Sequence, residues 1–496
     1  MSPVELLVLG LYFLTLVILA VFGLHRYVMV YLYVRHRGRR AMPVPLPPRL
    51  PRVTVQLPLY NEMYVADRLI DSVARIRYPK HLLEIQVLDD SSDETVAIAR
   101  GAVERYREQG FDIHYLHRTE RIGYKAGALE AGLSVARGEF VLIFDADFVA
   151  PTDILEKTLG HFADPNVGMV QVRWGHVNRD YSLLTQVESV LLDGHFILEH
   201  GGRNRAGRFF NFNGTAGIWR RETIGDAGGW QHDTLTEDLD LSYRAQMKGW
   251  RFVFVQDVVS PAEIPVEMNA FKSQQHRWAK GSIQTCRKLL PKILASSLPL
   301  PVKIEAAFHL TANLAYPLMV LLSVLMFPAM VIRYDMGLYE MMIVDVPLFL
   351  GATMSVCSFY LVSQREVFGD AWRARIKYLP AVLSLGIGLS VNNAKAVLEG
   401  LLGHASEFVR TPKHRVESQG EDWRARRYRG SVSLVPFVEL GFALYFTAMA
   451  YYAVTSGIFG TLPFVLLFQV GFLYCGAMSL FQGFSARFEQ FREQEA

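Results

Sequence analysis

The sequence predicts an integral membrane protein in which an α/β domain is inserted between transmembrane helices. Two observations carry this prediction. Long apolar segments lie at the N-terminus and in the last 200 or so residues, and strand-like and helix-like patterns alternate in the block between them. Hydrophobic residues make up 51% of the 496 residues, a share that is high for a water-soluble enzyme.

The first apolar segment covers residues 4–24, and its apolar pattern continues to Val34. It is longer than the core of a signal peptide and no small-residue cleavage site follows, so we expect an uncleaved span. A bilayer core of roughly 30 Å needs about 20 apolar residues per helix. The later segments that meet this requirement are 309–332, 342–363, 433–456 and 461–482.

Residues 378–402 decide the predicted topology. This segment contains four polar side chains that are costly in hydrocarbon, Asn392, Asn393, Lys395 and Glu399. Basic clusters at Arg35–Arg40 and Arg424–Arg429 lie beside apolar segments, and such clusters mark the cytoplasmic side. Two predicted spans, 309–332 and 342–363, lie between these clusters, so both clusters are cytoplasmic only if residues 378–402 do not cross the membrane. We therefore predict an interfacial amphipathic helix there, five spans, an outer N-terminus and an inner C-terminus.

The block between the spans reads as alternating strands and helices. Predicted strands are Val53–Leu57, Glu84–Leu88, Asp112–Leu116 and Phe140–Phe144, and predicted helices are 62–77, Asp93–Gln109 and Tyr124–Ala136. Such alternation indicates parallel βαβ units. In open sheets of this kind, ligands bind beyond the carboxyl ends of the strands. Acidic residues at those ends are therefore the first candidates for a site.

Two acidic pairs follow predicted strands. Asp145 and Asp147 flank one alanine after the Phe140 strand, and two carboxylates so placed can hold a hard divalent cation that bridges phosphate oxygens. Asp89 and Asp90 end an earlier strand, where an acid can accept hydrogen bonds from a base or ribose. The alternatives are solvated loop carboxylates for the first pair and helix capping for the second.

Three further groups carry possible chemistry. Lys125 stands at a helix N-terminus that can attract phosphate, or it is a surface lysine on a glycine-loosened turn. Glu237 and Asp238 could supply a general base, or an acidic first turn of a helix. Arg277 and Trp278 could pair charge with a flat face for a sugar, or act as a snorkelling Arg and an interface Trp.

With these residues in order, the chain resembles the cellulose-synthase-like, processive inverting glycosyltransferases of family two. Their pattern of a first Asp, D-x-D, T-E-D and Q-x-x-R-W is matched at Asp89-Asp90, Asp145/Asp147, Thr236-Glu237-Asp238 and Gln274…Arg277-Trp278. The resemblance is densest over residues 50–290 and strongest to the mannan and xyloglucan-backbone (glucan) synthase-like branches. It implies a nucleotide-sugar transferase domain of GT-A type with a mixed, mostly parallel sheet.

The resemblance also implies roles. Asp89 or Asp90 would contact the nucleotide and Lys125 the diphosphate, while Asp145 and Asp147 would hold donor phosphates through Mg²⁺ or Mn²⁺. Asp238 would be the general base, next to Glu237. Gln274, Arg277 and Trp278 would grip the diphosphate and the acceptor end. A gating loop of form F-x-V-T-x-K is matched at Phe408, Thr411 and Lys413, with Arg410 in place of Val.

These inferences divide the chain into eight regions. The boundaries are 1–34 for the first span, 35–51 for a linker, 52–260 for a cytoplasmic transferase domain, 261–305 for interfacial helices with the Q-x-x-R-W motif, 306–364 for two spans, 365–432 for an interfacial helix and gating-type loop, 433–483 for two spans and 484–496 for a cytoplasmic tail.

The expected activity is hexosyl transfer from UDP-glucose or GDP-mannose to the growing end of a β-linked glycan, with coupled export. A single-transfer enzyme that glycosylates ceramide or diacylglycerol is the alternative, and a non-enzymatic scaffold or transporter is a third class. The expected partners are the nucleotide-sugar, the acceptor and the lipid bilayer of the cell's inner (plasma) membrane. A net charge of +3 gives no reason to expect nucleic acid, and three scattered cysteines fit a reducing compartment.

Overall fold

The computed structural model describes residues 1–337, 342–404, 408–418, 420–423, 426, 428 and 433–495. Its transferase domain contains a seven-stranded sheet. The strands are β1 (Val53–Leu59), β2 (Leu83–Asp89), β3 (Asp112–His117), β4 (Phe140–Ile143), β5 (Val167–His176), β6 (Gly217–Arg220) and β7 (Arg251–Ala262), in the spatial order β3-β2-β1-β4-β6-β5-β7.

Most of the strand pairs are parallel. Strand β1 pairs in parallel with β2 and β4, β2 with β3, and β5 with β7, whereas β6 runs antiparallel to both β4 and β5. The predicted mixed, mostly parallel sheet is confirmed. Every residue of β2 and of β4 is buried, as expected for strands that are covered on both faces.

The helices of the domain cover both faces of the sheet. They are α2 (Ala66–Ala74), α3 (Thr95–Glu108), α4 (Tyr124–Val135), α5 (Ile154–Thr158), α6 (Leu183–Gly194), α7 (Gly201–Arg205), α8 (Arg221–Asp226) and α9 (Glu237–Met247). A six-residue π-helical turn, His195–His200, joins α6 to α7. The predicted strands and helices are present, with ends that differ by up to four residues because terminal turns depend on tertiary contacts.

The remaining helices flank this domain. They are α1 (Pro3–Arg35), α10 (Met268–Ala295), α11 (Leu300–Thr311), α12 (Ala315–Asp335), α13 (Met342–Phe368), α14 (Leu379–Gly388), α15 (Ser390–Leu402), α16 (Val435–Thr455) and α17 (Leu462–Glu495). Among the described residues, four helical segments are long and apolar enough to cross a membrane: Pro3–Arg35, Leu300–Asp335, Val435–Thr455 and Phe459–Gly483. A fifth is added if Gly351–Gly388 and Ser390–Leu402, bent by 42°, form one span.

Three of the four polar side chains of residues 378–402, Asn392, Asn393 and Glu399, face protein, whereas Lys395 is exposed. Asn392 donates from Nδ2 to the Lys272 carbonyl at 3.0 Å, and Glu399 accepts from Lys280 Nζ at 3.0 Å. Helix α15 therefore packs its polar side against α10, the helix that carries Gln274, Arg277 and Trp278. That this segment lies in the interface, and that the protein has five spans, stay predictions.

The sheet edge explains where the acidic residues meet. Leu59, at the end of β1, pairs with Asp89 at the end of β2, and β4 ends at Ile143, two residues before Asp145. Parallel strands end at a common edge, so these acids lie along one rim. Residues 408–418, which we call the strap, cross this rim.

Candidate active site

A cleft lies at the carboxyl edge of the sheet between the strand ends, helices α9 and α10 and the strap. It gathers twelve of the thirteen residues that the sequence singled out. These are Asp90, Lys125, Asp145, Asp147, Glu237, Asp238, Gln274, Arg277, Trp278, Phe408, Thr411 and Lys413.

Asp89 is the residue that stays outside the cleft. Its carboxylate is fully buried, accepting hydrogen bonds from the Tyr115 hydroxyl at 2.6 Å and the Ser91 main-chain N–H at 2.9 Å. Asp90 does line the cleft, and Arg118 holds it with two hydrogen bonds of 2.7 and 2.6 Å. Of the two acids considered for nucleotide contact, Asp90 is therefore the one that a ligand can reach.

Lys125 connects the first acid of the D-x-D pair to a glycine turn. Its ammonium donates to Asp145 Oδ1 at 2.5 Å and to the Gly214 carbonyl at 2.9 Å. Gly214 has φ +79°, and a Cβ there would lie 3.1 Å from Asp238 Oδ2 and 3.2 Å from Lys125 Nζ. The absence of a side chain at Gly214 thus lets the lysine and the candidate base approach the same point.

Lys413 of the strap is bound at the second acid of the D-x-D pair. Its ammonium contacts Asp147 Oδ2 at 2.8 Å and donates to the Glu263 carbonyl at 2.6 Å. Among the described residues, no group of three or more His, Cys, Asp or Glu side chains is arranged to hold a metal ion. The Asp pair nevertheless fits a hard cation. Each carboxylate already binds an ammonium, and Mg²⁺ commonly uses one or two carboxylates plus substrate phosphates.

Helix α9 begins with the acidic T-E-D residues, and α10 packs directly against them. A Cβ at Gly281 would lie 2.5 Å from Thr236 Cγ2, so only glycine permits this approach. Gln284 accepts a hydrogen bond from the Leu235 main-chain N–H at 2.9 Å, and the Thr236 and Thr285 hydroxyls are 3.3 Å apart. The helix that carries Arg277 and Trp278 therefore holds the candidate base in place.

Asp238 has the electrostatics of a proton acceptor. Burial, reinforced by the neighbouring Glu237 carboxylate, raises the pKa of Asp238 to about 7. Its Oδ1 accepts the Leu239 main-chain N–H at 2.8 Å, and its Oδ2 points toward Gly214. A carboxyl group with a pKa near neutrality is suited to general base chemistry.

Arg277 lies opposite these acids and contacts the strap. It donates to the Val409 carbonyl at 2.8 Å, and its guanidinium lies 4.7 Å from the centre of the Phe408 ring. Burial lowers the pKa of Arg277, and the carboxylates of Glu237 and Asp145 oppose that shift. The motif arginine therefore carries a desolvated positive charge into the cleft, beside Gln274 and Trp278.

The strap is fixed by two acids at strand ends that the sequence argument did not name. Glu62, three residues after β1, forms an ion pair of 2.7 Å with Arg410, the residue that departs from the gating-loop pattern. Glu263 directly follows β7 and accepts the His414 and Arg415 main-chain N–H groups, both at 2.8 Å. The strand-end argument applied to Asp89 and Asp145 extends to Glu62, which follows the predicted strand Val53–Leu57, but it does not reach Glu263 because β7 was not among the predicted strands.

Other lining residues lacked so clear a signal. Asn213 and Gly214 belong to a glycine turn, Trp174 lies near the end of β5, and Glu188 lies on the mostly apolar helix α6. These residues line the cleft because of how β5, β6 and α6 pack against one another. The hydrophobic periodicity of the sequence does not indicate that packing.

Comparison with known proteins agrees with this architecture. Residues 51–281 match the family described as "Glycosyltransferase like family 2". The chain is 42% identical over 249 residues to glucomannan 4-beta-mannosyltransferase 2 of Arabidopsis thaliana, a match that covers 49% of this chain and 47% of that relative. It is 32% identical over 428 residues to glucomannan 4-beta-mannosyltransferase 1 of Oryza sativa subsp. japonica, covering 82% of this chain and 78% of the relative. The chain belongs to glycosyltransferase family 2.

This membership confirms the resemblance to mannan-synthase-like, cellulose-synthase-like members and the expected hexosyltransferase class. A solved structure, the mannosyltransferase PcManGT from Pyrobaculum calidifontis in complex with GDP-Man and Mn2+, has the same fold. It is 22% identical with a TM-score of 0.51, and the match covers 78% of this chain and 100% of that one. The expected GT-A fold is thereby confirmed.

Proposed function

We propose that this protein transfers mannosyl units from GDP-mannose to the growing end of a β-linked glycan, with UDP-glucose as the second donor to test. The observation that carries the proposal is the content of one cleft. It holds a buried carboxyl, Asp238, whose pKa is raised to about 7, together with the cation-binding candidates Asp145 and Asp147. The relatives named for β-mannosyl transfer favour mannose over glucose.

In the proposed reaction Asp238 accepts the proton of the attacking acceptor hydroxyl. The hydroxyl oxygen bonds to the anomeric carbon as the bond from that carbon to the diphosphate breaks, which inverts the configuration. The leaving nucleoside diphosphate carries away the bonding electrons, and Lys125 and Arg277 supply positive charge to it. Gly214 allows Lys125 and Asp238 to act close together, since a side chain there would crowd both.

Asp145 and Asp147 would hold Mg²⁺ or Mn²⁺, which when bound adds positive charge to the donor diphosphate. Lys413 would then move from Asp147 toward the phosphates, so that Phe408, Thr411 and Lys413 close over the nucleotide. Asp90 would contact the nucleoside, and Trp278 would offer its ring to the acceptor sugar.

We extend the proposal to topology: the cleft faces the cytoplasm of a multi-pass protein of the inner (plasma) membrane, and the glycan is exported as it grows. Support comes from the apolar helices on both sides of the domain and from a buried ion pair, Lys272–Glu439 at 2.5 Å, that joins α10 to α16. A cysteine at Ser418, the last residue of the strap, should resist an impermeant thiol reagent applied outside intact cells. Rapid labelling of Ser418→Cys would contradict the cytoplasmic placement.

The deciding experiment is product analysis with purified protein in lipid nanodiscs and radiolabelled GDP-mannose, UDP-glucose and other nucleotide-sugars. A labelled polymer from GDP-mannose supports the proposal. A labelled glycolipid would favour the single-transfer alternative, and no product with any donor would favour a degenerate scaffold or transporter. The Asp238→Asn protein is the control for chemistry that does not use this cleft.

A further inference from the structure

A buried acid in the cleft has no role in the proposed reaction. Glu188 is 1% exposed and lines the cleft from helix α6, yet neither of its carboxyl oxygens has a hydrogen-bond partner among the described residues. Leaving a buried polar group unpaired costs free energy, so native proteins rarely retain one without a function. Burial raises the pKa of Glu188 well above its usual range, while Lys413 opposes that shift and Asp147 adds to it.

A second unpaired polar atom lies in the same wall of the cleft. Trp174, near the end of β5, has a buried indole N–H that lacks a partner in the described part of the chain. Its ring packs against Phe148 and Phe196, with ring centres 5.2 and 5.1 Å apart. Leu192, one helical turn beyond Glu188, also lines the wall. The wall is thus largely apolar, with one donor and one carboxyl group facing the cavity.

The sheet order places this wall on the sugar side of the cleft. Asp90 follows β2, Asp145 and Asp147 follow β4, and Trp174 belongs to β5, on the opposite side of β4 from β2. A donor with its nucleoside near Asp90 and its diphosphate near the Asp pair would direct its hexose toward β5. A hydroxyl that donates to a carboxyl and accepts from an indole N–H suits this wall, as does the apolar face of a sugar ring.

We propose that Glu188, together with Trp174, forms a subsite that binds the hydroxyls of a hexose ring. This inference rests on the proposed function and adds to it a residue that determines sugar recognition. The ring is either the hexose of the donor or the terminal sugar of the acceptor, and both offer the same hydroxyl chemistry.

The test compares Glu188→Leu and Glu188→Gln with the wild-type protein. Glu104→Leu, at an exposed position on α3, is the matched control. Glu188→Leu should lower kcat/KM for transfer about tenfold to a hundredfold, because the bound hydroxyls lose a hydrogen-bond partner. Glu188→Gln should retain part of the activity. The melting temperature of the Leu variant should stay the same or rise, since an unpaired buried acid is removed.

Two further measurements show whether the bound ring is the hexose of the donor or the terminal sugar of the acceptor. If it belongs to the donor, Glu188→Leu weakens binding of GDP-mannose but not of GDP, and hydrolysis of the donor without acceptor slows in parallel. If it belongs to the acceptor, donor hydrolysis is unchanged and the Kd of β-1,4-linked mannotriose rises. Both binding measurements are made directly by calorimetry, so they test the subsite even if wild-type protein shows no transfer, the result that would overturn the proposed function itself.

Three results would overturn the subsite. Unchanged transfer and sugar binding in Glu188→Leu would show that the carboxyl contacts no sugar. A melting temperature several degrees lower, with GDP binding lost, would make Glu188 structural. Activity that is restored by raising Mn²⁺ would make it a cation ligand instead.

Discussion

The carboxylates on the two sides of the cleft have different neighbours. At the end of β4, each acid of the D-x-D pair is bound to an ammonium group, Asp145 to Lys125 at 2.5 Å and Asp147 to Lys413 at 2.8 Å. On the other side, Asp238 forms no salt bridge with any described residue, and its neighbour is another acid, Glu237. The same functional group is therefore in direct contact with an ammonium group on one side, and on the other it lies beside a second carboxylate with Lys125 nearby but not bound to it.

This difference separates two kinds of chemistry. Carboxylates that already bind ammonium groups can exchange them for a divalent cation or a charged ligand without protonation. A buried carboxyl beside a like charge is easier to protonate, so it can take up and release a proton near neutral pH. We therefore assign cation binding to the β4 side and proton transfer to the start of α9, and the following predictions test that division.

The largest effect should come from removing divalent cations. Excess EDTA should reduce transfer to background, because the leaving diphosphate loses the charge that Asp145 and Asp147 would hold beside it. Mg²⁺ or Mn²⁺ added after removal of the chelator should restore activity, measured as labelled product. Full activity in excess chelator would contradict the assignment of cation binding to Asp145 and Asp147.

Replacing the candidate base should have the next largest effect. Asp238→Asn should lower the transfer rate by about 10²–10⁴, since loss of a general base typically costs that much. GDP-mannose binding, measured by calorimetry, should change little. Asp233→Asn, an exposed acid that precedes α9, is the control. Near-normal turnover of purified Asp238→Asn protein would remove this residue from the role.

The pH profile should report the same carboxyl. Because Asp238 must be ionised to accept a proton and its pKa is raised to about 7, kcat/KM should fall about tenfold per pH unit below that value. The contribution of this carboxyl to the free energy of unfolding should change in the opposite direction, decreasing as pH rises. The folded protein holds the proton more tightly than the unfolded chain, so this group favours folding at low pH and the benefit is lost as pH rises from about 4 to about 7. A flat activity profile from pH 5 to 8 would contradict the assignment.

The smallest effect concerns the strap. Lys413→Met should lower the cation concentration needed for half-maximal activity about fivefold, because the cation no longer has to displace an ammonium group from Asp147; fivefold corresponds to about 1 kcal/mol. The maximal rate can fall as well, so the half-saturating concentration is the informative quantity. Lys157→Met, which breaks the surface pair with Asp153 at 2.6 Å, is the matched control. An unchanged half-saturating concentration would show that Lys413 and the cation do not compete.

Local pattern was sufficient for the first half of the transferase domain. Strands β1 to β4 and their helices were predicted to within a few residues because each is a short apolar run or an amphipathic segment bounded by turn residues. The antiparallel insertion of β6 between β4 and β5 was not predicted. Strand order depends on contacts between residues far apart in sequence, and no local periodicity records them.

The sequence by itself determined the fold class, the apolar helices and the acids that follow strands, because hydrophobic periodicity and strand-end position are local properties. Only the tertiary structure decided that Asp90 and not Asp89 reaches the cleft, that Arg410 pairs with Glu62, and that Glu188 faces the cavity with no hydrogen-bond partner among the described residues. The reason is that burial, ion pairing and pKa depend on distances through space. Lys413 and Asp147, 2.8 Å apart in the fold, are separated by more than half of the chain.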